Sequence, residues 1–323
     1  MIDPHSGSAP AAARLVGDIG GTNARFAVLD DDDTPVRPAT LPVDDFPSLA
    51  QAVRTYAADH EIGPLGAAAF AVANPVTGDR IKLTNNHWAL SIEETRVELG
   101  LEVLHVVNDF TALALSLPHL PSTELAVVGG GDVVPARTIA VIGPGTGLGV
   151  SGLVPCRDGW KALQGEGGHV TVGVTTDRER AVRDRLATRF RHVSAERFLS
   201  GPGLVNTVEA LREIDGLSAG ELSPADITRL GTSGEDHHCR ETLEIFCRLL
   251  GSCAGNLALT LGAEGGVYIG GGIVPRLGTF FETSGFRAAF EAKGRMQDYL
   301  ARVPTFVIRA PYPALTGVAQ LLR

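Results

Sequence analysis

The chain has no paired cysteines, no basic run, no long apolar stretch and no leader pattern at its start, and each absence removes a class of protein. Its four cysteines, Cys156, Cys239, Cys247 and Cys253, show no CxxC spacing, so they read as reduced thiols rather than as a disulfide frame. Cys239 follows His237 and His238, but no second group of ligands accompanies it and no zinc is assigned. Lysine and arginine total 28 against 37 acidic residues, a net charge of -9. Phosphate backbones are gripped by clustered cations, so no nucleic-acid partner is expected. No apolar stretch approaches the roughly 18 to 20 residues of a membrane helix, and no basic segment precedes an apolar one near Met1. A cytoplasmic protein with no membrane partner is expected. Two nucleotide motifs are also missing: G-x-x-x-x-G-K-[ST] does not occur, and G-x-G-x-x-G does not occur between a strand and a helix. A P-loop enzyme and a Rossmann dehydrogenase are thereby disfavoured.

What the chain does have is a duplication. Residues 15–30 (LVGDIGGTNARFAVLD) and 139–154 (IAVIGPGTGLGVSGLV) each run apolar segment, glycine-threonine turn, apolar segment. Each reads as strand, tight turn, strand, with glycines able to take positive φ and backbone N–H groups left to point at one spot. A bare-N–H turn suits phosphate, and two such turns on matching halves of one molecule would hold a polyphosphate from both sides. Read singly, either segment is more often a plain hairpin. The first turn adds Asp18 before its glycines, a carboxylate for hydrated Mg2+, and Thr22 after them; the second repeats the step at Gly145 and Thr146.

The 323 residues, 44% hydrophobic and 20% charged, are enough for two core-bearing domains. Residues 1–13, rich in Ala, Pro and Ser, read as a disordered tail with no room for a DNA-binding module. Beyond them the pattern alternates: a helix over 48–60, a buried strand over 67–72, a loop over 74–79, and an extended run over 80–84. Ser91 and Glu94 form a capping-box pair for a short helix that Gly100 ends. A strand over 103–107 then runs into Asn108 and Asp109 at the start of a helix. Asn and Asp are good N-caps, which is the plain reading, but the carboxyl ends of strands are also where α/β sheets place ligands.

Further polar residues weigh against capping alone. The segment QGEGGHVTVGV places Glu166 and His169 three apart on a glycine-rich turn ahead of another strand, and HVSAERFLSGPGLVN contributes Glu196. Carboxylates, an amide and an imidazole are the groups that read sugar hydroxyls. Glu196 alone, on a helical segment, would be an ordinary surface acid. A helix over 240–261 is followed by a strand over 267–269 and by Gly270, Gly271 and Gly272, a turn that lets a flat base or ribose lie close or else serves as a plain loop. A helix over 286–299, a strand over 304–308 and a helix over 313–322 complete the chain, the last expected to rejoin the first domain.

Taken together and in order, these segments resemble the bacterial glucokinases of the enteric type, in the actin, Hsp70 and sugar kinase superfamily. LVGDIGGTNAR is similar to that family's first phosphate motif, NDFTA to its catalytic motif, and GPGTGLG to its second phosphate motif. GEGGHV and SAERFLSGPGLVN resemble its sugar motifs, and GGVYIGGGIVPR its adenosine motif. The resemblance implies an α/β protein of the two-domain actin-like (RNase H-like) ATPase fold with an interdomain cleft. Its small domain would span 14–118 plus 310–323 and its large domain 119–309. It also implies a homodimer whose substrates are glucose and MgATP, and domain closure on sugar binding. By position, Asn108, Asp109, Glu166, His169 and Glu196 match glucose-binding residues, with Asp109 as catalytic base. Gly17, Asp18, Ile19, Gly20, Gly21 and Thr22, with Gly145, Thr146, Gly147, Gly271 and Gly272, match the ATP-binding segments, Asp18 facing Mg2+. The related repressor and open-reading-frame kinases share the ExGH string but add a Cys-rich zinc motif that this chain lacks. Pro144 stands where the family commonly has a small residue, and having no N–H it leaves phosphate contacts to Gly145 and Thr146. A kinase of another hexose, a non-catalytic sugar sensor and a phosphatase on the same fold are the alternatives.

Overall fold

The computed structural model describes residues 12–83, 86–218 and 220–323. Of the tail expected over 1–13, residues 1–11 lie outside the described residues, whereas Ala13 is the first residue of strand β1 (Ala13–Ile19). Its N–H donates to the Pro64 carbonyl at 2.8 Å, which ties the strand down from its first residue. The chain forms two compact units: the first runs to Leu120 and takes back Pro311–Arg323, and the second is Pro121–Ala310.

In the first unit, β1, β2 (Asn23–Leu29) and β3 (Pro35–Pro42) form an antiparallel meander. Strands β4 (Leu65–Val72) and, further along the chain, β7 (Val103–Asn108) add in parallel beyond β1, giving the order β3-β2-β1-β4-β7. Side chains alternate across a strand, so β1 feeds two cores. Leu15 and Ile19 join Phe26, Tyr56 and Phe70 on one face, while Val16 joins Ala69, Ala112, Leu315 and Val318 on the other. Helix α1 (Leu49–Asp59) covers the first face. It is capped by Ser48, whose hydroxyl accepts the Gln51 N–H, and it buries Leu49, Ala52, Val53 and Tyr56 at helical spacing. The Phe26 ring lies 5.7 Å from Tyr56 and 6.2 Å from Phe70, edge-on to the latter, and each such side chain contributes roughly 1.5 to 3 kcal/mol on burial.

A small ribbon of β5 (Arg80–Lys82) and β6 (Ala89–Ser91) leads into helix α2 (Ile92–Glu98). Only half of the expected capping box forms. Ser91 accepts the Glu94 N–H, but the Glu94 side chain pairs with Arg80, and Asp79 instead takes the Ser91 hydroxyl at 2.6 Å and the Glu93 N–H at 2.9 Å. Gly100, with φ of 68°, follows the helix in the left-handed conformation. The second face of the sheet is covered by α3 (Asp109–Ser116) and by the C-terminal helix α12 (Pro313–Ala319). These two cross closely: a Cβ on Gly317 would stand 1.7 Å from the Ala112 carbonyl oxygen.

The second unit repeats the plan. Strands β9 (Ile139–Pro144), β10 (Leu148–Cys156) and β11 (Gly159–Leu163) form an antiparallel meander, and β12 (Val267–Ile269) and β13 (Thr305–Ile308) add in parallel beyond β9. An extra antiparallel edge strand, β8 (Leu125–Gly129), closes the order β11-β10-β9-β12-β13-β8. The two glycine-threonine turns therefore occupy equivalent hairpins of the two sheets. Helices α4 (Asp177–Ala187), α5 (Gly201–Ile214) and α6 (Pro224–Ser233) surround the 25-residue α7 (His237–Leu261). Asp236 caps α7 and Gly262, at φ of 62°, ends it.

After β12 come the short α8 (Val274–Leu277), α9 (Thr279–Glu282), α10 (Phe286–Glu291) and α11 (Gln297–Arg302). The single helix expected over 286–299 is thus two, broken where Gly294 takes φ of 55°. Gly251 and Gly255 of α7 let α10 lie against them, since a Cβ would stand 2.1 Å from the Phe286 oxygen and 2.4 Å from the Phe290 oxygen respectively. The strand expected after Gly168 is reduced to one bridge between Thr171 and Ser194. Cys239 and Cys247 are buried thiols of α7, Cys253 is half-buried and Cys156 exposed. No described helix is long and apolar enough to cross a membrane.

Candidate active site

Strand register brings two carboxylates together in the first unit. Ile19 pairs with Val72 and Val72 with Asn108, so β1, β4 and β7 end level with one another. Asp18, on the face covered by α3 and α12, and Asp109, the first residue of α3, both lie at this edge. The Asp109 carboxyl is pushed up to about 6, first by burial and then by the Asp18 charge. Asp18 is itself raised by burial, against the lowering pull of Arg25, its cross-strand partner.

Asn108 does cap α3, and it does more. Its Oδ1 accepts the Phe110 N–H at 2.9 Å and the Thr111 N–H at 3.3 Å, while its Nδ2 donates to Asp109 Oδ1 at 2.9 Å and to the Asn74 carbonyl at 3.4 Å. Asp109 Oδ1 also accepts the Phe110 N–H at 2.9 Å. One carboxylate oxygen is therefore pinned, and Oδ2 has no hydrogen-bond partner among the described residues.

The first glycine-threonine turn is closed by the Gly20 N–H donating to the Asn23 carbonyl at 2.9 Å. Asn86 braces it: Nδ2 donates to the Gly20 carbonyl at 3.0 Å while Oδ1 accepts the Trp88 N–H at 2.8 Å. Of the predicted nucleotide residues, Gly20, Gly21 and the exposed Thr22 form the turn, with Asp18 beside it. Gly17 and Ile19 lie in the core. A Cβ on Gly17 would approach Phe70 to 2.8 Å, and Ile19 is buried with Leu15.

In the second unit the matching turn is closed by Gly145 N–H donating to the Gly147 carbonyl at 2.8 Å, and Gly145 offers its own carbonyl to Gly201 N–H at the start of α5, also at 2.8 Å. The Gly145 amide proton is thus engaged within the turn, while Thr146 is exposed at its tip. The expectation of positive φ fails: none of Gly20, Gly21, Gly145 or Gly147 adopts it. At Gly147 glycine is required for close approach. A Cβ on Gly147 would stand 2.6 Å from Glu196 Oε2.

Glu196 lies on a single 3-10 turn, Ala195–Arg197, and its Oε2 accepts the Leu148 N–H at 2.9 Å. It is neither a free surface acid nor a member of a regular helix. Glu166 and His169 bracket the 3-10 turn Gly167–His169, with His169 Nε2 3.9 Å from Glu166 Oε2 and both side chains more than half exposed. Gly168 holds this turn against β10, since a Cβ there would meet the Leu148 carbonyl oxygen at 2.0 Å. Leu148 thus links Glu196 to the Glu166–His169 turn. The third glycine cluster abuts the second turn as well: Gly270 N–H donates to Ile142, Ile273 N–H to the Pro144 carbonyl, and Gly271, at φ of 78°, passes within 2.3 Å (as a Cβ) of the Pro144 oxygen. Gly272 is exposed with open space beside it. Asn86 had no sequence signal; only the folding-back of 86–88 brings it against the turn.

The two units thus carry two duplicated glycine-threonine turns, a half-buried pair of carboxylates at strand ends and a carboxylate-imidazole turn. A family model described as Glucokinase matches residues 15–323. The chain belongs to the glucokinase family. It is 53% identical to the glucokinase of Aromatoleum aromaticum over 98% of this chain and 96% of that protein, and 54% identical to that of Chromobacterium violaceum over 98% and 91%. Among solved structures, a glucokinase from an Antarctic psychrotroph superposes with a TM-score of 0.87 at 37% identity, covering 96% of this chain and 98% of that one. The glucokinase fold is thus a two-domain actin-like sugar kinase architecture, and the paired sheets described above are its two halves.

Proposed function

We propose that this chain transfers the γ-phosphoryl group of ATP to the 6-hydroxyl of glucose, with Asp109 as general base. The observation that bears most weight is the Asp109 carboxylate: raised to about 6, adjacent to a second carboxylate, with Oδ1 pinned and Oδ2 unengaged. A base works best when its pKa is close to the working pH, and burial has moved this one toward it. As the bond from O6 to phosphorus forms, the O6 proton passes to Asp109 Oδ2, the phosphorus–oxygen bond to ADP breaks, and the electron pair leaves on ADP. Asn108 keeps the carboxylate from rotating.

Glu166, His169, Glu196 and Asn108 are the residues proposed to read the sugar hydroxyls, since carboxylates accept from hydroxyl pairs and the amide donates. The turns at Gly20 to Thr22 and Gly145 to Gly147 are proposed to face the phosphate chain, with Gly271 and Gly272 beside the base or ribose. Two half-buried, mutually repelling carboxylates suit a divalent cation, whose charge both would favour. Asp18 is the residue to hold Mg2+, which when bound offsets phosphate charge. A homodimer rests on the family resemblance, and light scattering of the purified protein reads the assembly; a cytoplasmic location rests on the sequence pattern.

The test is sugar phosphate formation, with phosphate release in the absence of sugar as control, measured across glucose, mannose, fructose and galactose with ATP, ADP or polyphosphate as donor. Turnover that is fastest for glucose with ATP is expected. Preference for another hexose would reassign the substrate, and sugar-independent phosphate release would favour a phosphatase.

A further inference from the structure

A cleft of about 230 Å³ lies in the second unit, and none of its walls is a residue assigned above to sugar, phosphate or base. It is lined chiefly by Arg240, Glu244 and Arg248 of α7, by Phe280 of α9, and by Ser284 and Gly285 of the segment that leads into α10. The three residues of α7 follow one another at intervals of four, so they share one face of that helix.

Both arginines are anchored through Nε. Arg248 Nε donates to Glu179 Oε1 at 3.1 Å, and Glu179 is only 1% exposed, its other oxygen accepting the Thr175 and Thr176 N–H groups at 2.9 and 3.0 Å. The Arg248 stem is seated as well, because a Cβ on Gly285 would stand 3.0 Å from its Cγ. Arg240 Nε donates to Glu244 Oε1 at 3.2 Å, and its Cζ lies 5.7 Å from the Phe280 ring centroid, a cation–π distance. The Nη atoms of neither arginine meet an acceptor among the described residues. The competing account is ordinary solvated surface charge. It fits Arg240 and Glu244, an exposed pair one helical turn apart. It leaves unexplained why a buried carboxylate, saturated with donors, holds Arg248 at the cleft with its outer fork unspent.

We propose that this cleft is a second ligand site, for the phosphate monoester of a short polyol. The Nη fork of Arg248 meets the phosphate oxygens, a geometry that a guanidinium fits better than an ammonium. The rest of the cleft reads hydroxyls. Arg240 offers donors, Glu244 accepts, and Ser284 Oγ, which gives its proton to the Phe281 carbonyl at 2.7 Å, accepts as well. Phe280 supplies an apolar wall for the carbon chain. The volume falls below the roughly 300 to 1,000 Å³ of pockets that take drug-sized molecules, so the ester is a small one. The site does not depend on the kinase reading.

Isothermal titration of glycerol 3-phosphate, inorganic phosphate and glycerol tests this, with glucose and AMPPNP present at saturation so that the sites proposed for them are filled. The ester should bind saturably, inorganic phosphate more weakly and glycerol not at all. Arg248→Gln should weaken the ester by roughly 10- to 100-fold, as for a lost charge-assisted hydrogen bond. Glu244→Ala should instead erase the preference for the ester over inorganic phosphate. Should Arg248→Gln fail to fold, Arg248→Lys keeps a cation beside Glu179 but loses the fork, and should weaken the ester about tenfold. An ester that binds no better than glycerol, or that binds these Arg248 variants as it binds the unmodified protein, would overturn the proposal. Inorganic phosphate bound as tightly as the ester would overturn the polyol reading and leave a site for free phosphate.

Discussion

Glu196 Oε2 accepts the Leu148 backbone N–H at 2.9 Å, joining a candidate sugar ligand to the strand that leaves the second glycine-threonine turn. The two residues are 48 apart in sequence, and the link exists only because Gly147 has no side chain to fill the space. Whatever moves the carboxylate also disturbs the turn.

Glu196→Gln and Glu196→Ala should therefore behave differently. Glutamine keeps an acceptor for the Leu148 N–H but loses the charge. It should weaken glucose binding by about 1 to 3 kcal/mol with the melting temperature nearly unchanged. Alanine also leaves the N–H unanswered, so it should lower both sugar affinity and stability. Calorimetry and thermal melts check this, and equal melting losses in the two variants would mean that the hydrogen bond is not what matters.

The glycines of the second turn divide the same way. A Cβ on Gly145 meets open space and its φ is not positive, so Gly145→Ala should fold and bind glucose as the parent does. Gly147→Ala places a methyl 2.6 Å from Glu196 Oε2. The carboxylate must shift, and glucose affinity should fall roughly tenfold, as for the loss of one hydrogen bond. Isothermal titration of glucose into both variants gives the comparison.

Asp109 should cost stability in exchange for reactivity. A carboxyl raised from 3.8 to about 6 binds its proton more tightly in the folded state than in the unfolded state. Its destabilising effect is thus absent below about pH 3.8, grows as pH rises to 6 and stays constant above. Asp109→Asn retains Oδ1 for Asn108 and Phe110 but has no proton to lose, so at pH 7 it should be more stable than the parent by about 1 to 3 kcal/mol. In the parent, kcat/KM for glucose should decline below pH 6, where the base becomes protonated. Urea unfolding of the two proteins and a pH-rate profile test the pair of effects together.

Much of the fold could be read from local pattern. The hairpins at β1–β2 and β9–β10 and the strand Val267–Ile269 announce themselves through apolar runs cut by glycine, and Ser48 and Gly262 mark helix ends through cap chemistry. What escaped were partnerships between distant residues. Asp79 displaces Glu94 from the capping box because a neighbouring ribbon brings it nearer, and the helix over 286–299 divides because Gly294 takes a left-handed turn that apolar spacing cannot foretell. The candidate site divides likewise. Asp18 and Asp109 are visible as carboxylates at strand ends, but their adjacency depends on the register of β1, β4 and β7. The glycines of the two turns were expected for their φ, whereas it is Gly147 that is needed, for the space its missing Cβ leaves beside Glu196, which only packing reveals.

The most direct measurement of the central claim is phosphorus NMR of the products from MgATP with glucose or 6-deoxyglucose, using the unmodified protein and Asp109→Asn. The account predicts a phosphomonoester at O6 of glucose, none from 6-deoxyglucose, and a rate roughly 10²- to 10⁴-fold lower in the variant with glucose binding preserved. Phosphorylation of 6-deoxyglucose, or an Asp109→Asn enzyme that turns over at the parent rate, would contradict it.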